Sequence, residues 1–287
     1  MADPELAAWS GGVTAPAATA VPLRVDGPLA GRTALAVFAH PDDESLACGG
    51  TLARLSDAGA RVVLICASHG ESGSVSDPAL VPDLDLGRVR AGELREAAGV
   101  LGIRDVLLFD HPDGDLRWAD VPLLRAEIVM TIERFRPEVV ITFGEDGLYW
   151  HLDHVGVHER TTMAVRSLGA DAPPLYYVTL PPGAMSGIVS VARERSGAPP
   201  DSSFWGISAD VFGAHAAPPT VVVDVRDWTA RKLEALRRHR TQMGPHNPLA
   251  WIDGEHARHW LGTEQFRRAA GGRSSPLIDA LGDGVAS

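Results

Sequence analysis

From about residue 33 onward, short apolar runs alternate with stretches of helical spacing. Ala34–Phe38 is an apolar run of strand length, Gly50–Ala58 predicts a helix, and Arg61–Ser68 (RVVLICAS) predicts a second buried strand. Leu86–Leu101 sets Leu86, Val89, Leu94, Ala97, Ala98 and Leu101 near one helical face. Val106–Phe109 predicts a third strand, Leu123–Phe135 a helix and Val139–Phe143 a fourth strand, with another helix beginning near Asp153. Strands that are apolar throughout and alternate with helices imply a parallel sheet covered on both faces. The predicted fold class is α/β: a Rossmann-like three-layer sandwich with a mainly parallel sheet and a C-terminal elaboration. Ligands of such sheets gather beyond the C-terminal ends of the strands.

The pattern fails on both flanks. Residues 1–30 are rich in Ala, Gly and Pro without a period and predict a mobile N-terminal extension. Residues 71–86 carry Ser, Gly, Pro and Asp and predict a loop. Residues 181–218 are Pro-, Gly- and Ser-rich and predict a loop or lid, after which Thr220–Val225 predicts a late strand and Trp228–Gln242 a helix. The expected organisation is an extension over 1–30, a catalytic core over 31–180, and a lid and elaboration over 181–287 within the same domain.

Composition narrows the function classes. The chain has 287 residues, 45% hydrophobic and 22% charged, enough to fill a large core. A net charge of −11 repels nucleic acid and anionic membrane surfaces. The two cysteines, Cys48 and Cys66, are too few for a disulfide framework or a zinc knuckle and read as small core residues. Apolar runs of strand length predict no membrane span, and the start Met-Ala-Asp-Pro-Glu shows no signal peptide, so a cytoplasmic location is expected. Nothing in the sequence indicates an oligomeric state.

Two polar clusters sit where ligands of a parallel sheet gather. The first strand runs into Ala39-His40-Pro41-Asp42-Asp43-Glu44, where Pro41 stiffens the turn and disfavours helix at His40. His40 and Asp43 offer one nitrogen and one oxygen ligand suited to Zn²⁺, leaving Asp42 free to act on a metal-activated water. The fourth strand runs into Gly144-Glu145-Asp146-Gly147-Leu148-Tyr149-Trp150-His151-Leu152-Asp153-His154. A third ligand from this segment would complete a three-ligand site with an open position, the mark of catalytic rather than structural zinc. Fe²⁺ also suits a set of two histidines and one carboxylate.

The AHPDDE stretch, the GGTLARL helix start and the later HLDH closely resemble the LmbE-like, or PIG-L, deacetylase family. The resemblance runs from about residue 33 to 155, with an echo in Lys232-x-x-Ala235-x-x-x-His239-x-x-Gln242. It implies zinc on His40, Asp43 and His154, with Asp42 as general base. His151 matches the histidine that stabilises the oxyanion or acts as an acid, and Asp153 a carboxylate that orients a neighbouring histidine. Tyr149 matches a tyrosine that polarises the scissile carbonyl in some members. Arg90 and Asp113 resemble residues that contact sugar hydroxyls. The family often has HPDH, so Leu152 departs from the pattern while every chemical group stays in place. The implied reaction is removal of an N-acyl group, chiefly acetyl, from a small-molecule amino sugar glycoconjugate.

Other polar residues carry plainer expectations. His111-Pro112-Asp113 could be a capped surface turn, Glu145 and Asp146 read as loop caps, and His158 as a surface or supporting histidine. His69 and Glu71 follow the second strand and either line the pocket or stabilise a turn. His239 is divided between pocket wall and packing, and Trp205, Trp251 and Trp260 between stacking on a ligand and filling a core. Two rival functions remain. One is amidase action on a thiol-sugar conjugate, weakened by the loop after Ser68 and the N-terminal arm. The other is a sugar- or nucleotide-binding module, against which stands the lack of a Gly-x-Gly-x-x-Gly turn after the first strand.

Overall fold

The computed structural model describes residues 26–83, 85–118, 121–196, 203–279 and 281–284. Most of the extension predicted over 1–30 lies outside them. Within it, the Leu29 amide donates to the Ala58 carbonyl at 2.8 Å, fastening residues 26–30 to the turn that precedes the second strand. Gly27, at φ 140°, lies so close to that turn that a Cβ would come 2.5 Å from the Ala58 oxygen.

In chain order the elements are β1 (Thr33–Phe38), α1 (Asp43–Asp57), β2 (Arg61–Cys66), α2 (Leu86–Leu101), β3 (Asp105–Leu108) and α3 (Val121–Phe135). There follow β4 (Val139–Phe143), a distorted turn α4 (Gly147–Trp150), α5 (Leu152–Ser167), β5 (Leu175–Thr179) and α6 (Ala184–Ser196). The chain ends with β6 (Ser203–Phe204), β7 (Ile207–Ser208), β8 (Val221–Asp224), α7 (Thr229–Arg238), α8 (Gly254–Trp260), β9 (Thr263–Arg268), α9 (Pro276–Asp279) and β10 (Gly282–Gly284).

Eight strands form one sheet in the order β10-β8-β9-β5-β4-β1-β2-β3. The five from β3 to β5 pair in parallel, and β9, β8 and β10 extend the β5 edge antiparallel. This is the expected mainly parallel α/β sheet with a C-terminal elaboration. Winding from β1 runs outward through β2 and β3, then returns to β4 on the other side of β1. The β1/β4 junction is therefore a switch point, where Ala34 faces Val139 and Ala36 faces Ile141. Two loops that are distant in sequence, those after β1 and β4, emerge side by side there.

Packing explains why these strands are apolar on both sides. Val37, Phe38, Leu64, Ile65, Val140 and Ile141 are fully buried in one core, with α1, α2 and α7 packed together as one helical layer and α3 with α5 as another. A second apolar cluster joins Met185, Ile188 and Val189 of α6 to Phe204, Phe212, Leu233 and Leu249. No helix among the described residues is long and apolar enough to cross a membrane.

The structure departs from the sequence expectations in four places. The region 181–218, read as loop or lid, contains α6 and the β6–β7 ribbon. Met185, Ile188, Val189 and Ala192 recur at helical spacing and are buried, but Pro181, Pro182 and the internal Gly187 obscure the period. Gly187 is needed there because a Cβ would come 2.2 Å from the Trp260 ring. Helix α1 starts at Asp43 rather than Gly50, and its two parts join across a kink at Cys48 (φ −150°, ψ 27°). Helix α7 stops at Arg238, four residues before the expected end, and Gln242 lies in the turn that follows. Strands β5, β9 and β10 lie outside the expected elements, and in β9 Glu264, Gln265 and Arg267 interrupt any apolar alternation.

Candidate metal centre and cleft

The loop after β1 holds its polar groups through short-range bonds. The His40 amide donates to the Asp43 carboxylate at 2.8 Å, and the Asp42 carbonyl accepts the first α1 amides, Ser45 at 3.1 Å and Leu46 at 3.0 Å. Asp42 occupies the helix N-cap with φ 123° and ψ −26°, a left-handed backbone that favours glycine. Strain of this kind costs about 1–3 kcal/mol and persists where surrounding contacts enforce it. Here the Asp42 amide donates to Glu44 at 3.1 Å, and the other Glu44 oxygen lies 2.9 Å from His239 Nε2 and accepts from Ser45. His239, fully buried at the end of α7, thus braces the metal-loop carboxylate rather than lining the cleft.

The loop after β4 turns as tightly. Gly147 (φ 52°), Leu148 (φ 68°) and Trp150 (φ 63°) all lie in the left-handed region. Gly147 is required, because a Cβ would come 2.8 Å from the His154 Cβ. The Gly147 carbonyl lies 3.0 Å from His154 Nδ1, which donates to it, and Phe143 stacks on the same ring at 4.1 Å. His154 Nε2 is thereby left as a lone pair facing the β1 loop.

There the two loops meet. His154 Nε2 lies 3.1 Å from an Asp43 oxygen and 3.3 Å from His40 Nδ1, and His40 Nδ1 lies 3.4 Å from the other Asp43 oxygen. All three residues are buried, and they form a compact triangle of residues; His40 and His154 with His151, and His40 with Asp113 and Asp153, bring their donor atoms close enough together to hold a metal ion. On its far side, His40 Nε2 lies 3.0 Å from Asp113 and 3.1 Å from Asp153. Those carboxylates accept the Nε2 proton and turn Nδ1 toward Asp43 and His154, where it becomes a ligand atom once its own proton is displaced. Burial alone would lower the His40 pKa, but hydrogen bonds to Asp113, Asp153 and Asp43 raise it well above 6.5. Burial would raise the Asp43 pKa, but His154 and His40 hold it well below 3.8.

Asp153 is fully buried and accepts from the Gly114 amide at 2.7 Å and the Leu116 amide at 3.0 Å. Asp113 also accepts from the Ser72 amide at 2.8 Å. The His111-Pro112-Asp113 turn is therefore part of the centre, while His111 itself contacts Glu127 at 2.6 Å.

A cleft of about 370 Å³ opens over the triangle, with Asp42, Arg90, Tyr149 and His151 in its wall. Burial pushes the Asp42 carboxyl up to about 6 against the opposing charge of Arg90, whose Nη2 lies 3.3 Å away. Arg90 also donates to the carbonyls of Gly70 and Pro41, both at 2.7 Å, and so clamps the wall from behind. The His151 ring centre lies 4.9 Å from that of His40, and burial with neighbouring histidines lowers its pKa to about 4. Its Nδ1 accepts the Asp153 amide at 3.3 Å, so neutral His151 carries its proton on Nε2. The Tyr149 ring lies between His151, His154 and Phe212, with its hydroxyl pKa raised by burial.

Ser72 and Ser74, which the sequence does not single out, also line the cleft, as do Trp205, divided in the sequence between stacking and core, and Gln242. Gln242 belonged to the C-terminal echo, but the loop residues carried no periodic signal. Other polar residues have structural roles. His69 bonds Asp110 at 2.8 Å and Glu71 caps the Asp113 amide at 3.0 Å, both facing a separate cavity. His158 lies 2.9 Å from the Phe143 carbonyl, Asp146 caps Leu148, Glu145 pairs with Arg267 at 2.8 Å, and Cys48 and Cys66 are buried thiols.

Comparison with known proteins gives a family and a fold. Residues 35–165 match the PIG-L family, described as GlcNAc-PI de-N-acetylase. A 1D-myo-inositol 2-acetamido-2-deoxy-alpha-D-glucopyranoside deacetylase from Thermobispora bispora is 32% identical over 85% of this chain and 90% of its own length. Among solved structures, the N,N'-diacetylchitobiose deacetylase of Pyrococcus horikoshii shares the fold with a TM-score of 0.54 and 19% identity, covering 87% of this chain and 88% of that one. So does the 4-carboxy-2-hydroxymuconate hydratase GalB of Pseudomonas putida, with a TM-score of 0.58, 20% identity, and 85% and 98% coverage. The fold alone therefore does not select a reaction. The 32% identity to the inositol-glycoside deacetylase, spread over most of both chains, does place this one: it belongs to the PIG-L family of de-N-acetylases.

Proposed function

We propose that this protein is a zinc-dependent hydrolase that removes the N-acetyl group of an amino sugar glycoconjugate. The observation that carries the reading is the His40–Asp43–His154 donor triangle beneath the Asp42 and His151 wall. His154 Nε2 lies 3.3 Å from His40 Nδ1 and 3.1 Å from one Asp43 oxygen, so these two nitrogens and one oxygen would hold a zinc ion, for which imidazole and carboxylate are suitable donors. An ion held there supplies Lewis acidity, activating water and polarising the amide carbonyl.

The protein's own groups perform the rest. Asp42, with a pKa near 6, is ionised at neutral pH and accepts a proton from the attacking water. The Nε2–H of neutral His151 donates to the carbonyl oxygen as negative charge develops on it, with the Tyr149 hydroxyl beside it; one such donor is worth about 3 kcal/mol. Protonated Asp42 then passes its proton to the leaving nitrogen as the C–N bond breaks, releasing acetate and a free amine. A His151 pKa near 4 leaves that ring a hydrogen-bond donor rather than a proton carrier. The amino sugar is supported by the relatives, which are named as deacetylases of a 2-acetamido-2-deoxy-glucopyranoside of myo-inositol and of N,N'-diacetylchitobiose.

The deciding experiment loads the protein with zinc, measures metal by elemental analysis, and follows acetate release from N-acetylglucosaminides. About one ion per chain, lost in His154→Ala, together with equal release of acetate and amine, is expected. A fully loaded protein that releases acetate from none of them would overturn the reading.

A further inference from the structure

Asp42 carries the proposed base chemistry on a backbone that an L residue resists. Its φ of 123° persists only where contacts outside the residue enforce it. Two such contacts approach from opposite sides. Arg90 donates to the Pro41 carbonyl at 2.7 Å and reaches the Asp42 carboxylate at 3.3 Å. The Asp42 amide, in turn, donates to a Glu44 oxygen at 3.1 Å.

Glu44 can take that amide only while its own carboxylate stays in place. The residue is 1% exposed, so protein groups rather than bulk water must hold it. Its other oxygen accepts from the Ser45 hydroxyl and, at 2.9 Å, from His239 Nε2, which lies 195 residues downstream. His239 is fully buried, and its Nδ1 has no hydrogen-bond partner among the described residues. A buried polar atom left unmet is unfavourable, so packing alone would not choose a histidine here. What it adds over an apolar side chain is one N–H aimed at Glu44. The turn that follows it is anchored as well: the Thr241 amide at 3.0 Å and hydroxyl at 2.7 Å both donate to the buried Glu93 of α2.

We propose that Glu44 and His239 are a positioning pair for the reaction: through the Asp42 amide they hold the base in the backbone conformation that presents its carboxylate to the cleft. Neither residue is among those lining the cleft, so the pair acts through Asp42 and not on substrate. The metal donors are held by other bonds. Asp43 takes the His40 amide at 2.8 Å, and His154 is fixed by the Gly147 carbonyl at 3.0 Å. Loss of the pair therefore removes base alignment and leaves the ion in place. The pair's role rests on the reading of Asp42 as the base.

The test measures kcat, KM and zinc content on zinc-loaded protein with methyl N-acetylglucosaminide, in the native chain, His239→Ala and His239→Gln, and repeats the set in the Asp42→Asn background. His239→Ala should lower kcat by about 10- to 100-fold, the factor by which an unbraced backbone of this kind relaxes, while KM and zinc hold. His239→Gln, which keeps an N–H for Glu44, should recover most of that loss. In Asp42→Asn the same His239→Ala change should alter the residual rate by less than about twofold, because the carboxylate it positions is gone. An equal loss in both backgrounds, or zinc lost in step with kcat, would overturn the pair. A crystal structure of His239→Ala reads the same point without turnover: Asp42 should leave its φ of 123°, and an unmoved Asp42 removes the pair. If Asp42→Asn turns over like the native chain, or no glycoside is hydrolysed, the base reading fails separately. The Asp42 backbone in the variant then decides alone, a relaxed one keeping the pair and an unmoved one removing it. Should His239→Ala not fold, Glu44→Gln takes its place, because an amide leaves one acceptor oxygen for contacts that now use two.

Discussion

The parallel half of the sheet and its antiparallel edge divide the work unequally. The loops after β1 and β4 lie side by side and carry His40, Asp42 and Asp43 on one and His151 and His154 on the other, the residues to which the proposed reaction assigns metal, base and oxyanion roles. The C-terminal elaboration contributes no donor to the triangle, yet it supplies His239 behind the metal loop, Glu264 behind the α1 kink and Trp205 at the cleft wall. At the Cys48 kink, Glu264 accepts the amides of Gly50 at 2.9 Å and Thr51 at 2.7 Å, and Lys232 contacts the same carboxylate at 2.6 Å. The difference teaches that chemistry and support are carried by separate stretches of chain, so substitutions in each should fail in different ways.

The sharpest contrast lies inside one loop. Asp42→Asn should lower kcat by about 10²–10⁴-fold, the usual worth of a general base, while metal content and melting temperature hold. Asp43→Ala should lose the ion and the activity together. A variant pattern in which Asp42→Asn loses the metal and Asp43→Ala keeps it would reverse the two assignments. On the supporting side, Lys232→Met should leave Glu264 buried without its cation. Breaking a buried pair of this kind costs about 3–5 kcal/mol, read by denaturant unfolding, while the protein that remains folded keeps its metal. Unchanged stability would remove the buttress from the comparison.

The smallest effect concerns pH. The base role proposed for Asp42 needs the ionised carboxylate, so kcat/KM should rise with pH and level off above about 6, and fall away as pH drops through that value. Arg90 opposes the upward shift, so Arg90→Met should move the acid limb to higher pH. Stability should run the other way: the folded protein holds this proton more tightly than the unfolded chain, so the stabilisation from protonated Asp42 is present below 3.8 and lost as pH rises to about 6. Parallel trends in activity and stability across that interval would locate the limb elsewhere.

The parallel half was legible because its signals are local. Strands β1 to β4 are mostly apolar, His40, Asp42 and Asp43 follow directly on β1, and His154 lies in the polar cluster that begins at the end of β4. The roles of Asp113 and Arg90 were less visible, since nothing in either segment shows that one carboxylate meets His40 and the other side chain clamps two carbonyls. The supporting half was hardest to see. Glu264 sits in a strand with mixed polarity because it is buried for a partner 32 residues away, Lys232. Helix α6 was hidden by prolines and by a glycine that makes room for Trp260. Trp205 was weighed as a core or stacking residue, and only its place in the cleft wall separates it from the other tryptophans.

The carboxylate of Asp153 ties three segments that the chain visits at different times: the end of β1 through His40, the turn after β3 through the amides of Gly114 and Leu116, and its own helix. A group shared in this way makes ligand binding and local ordering one equilibrium. Whatever favours the productive orientation of His40 also draws the Asp113–Leu116 turn into place, because both depend on the same two oxygens. The cleft wall is thus preorganised by the centre it surrounds. Disorder in that turn would weaken ion binding without touching a ligand, and a well-filled centre would in turn keep the wall shaped for substrate.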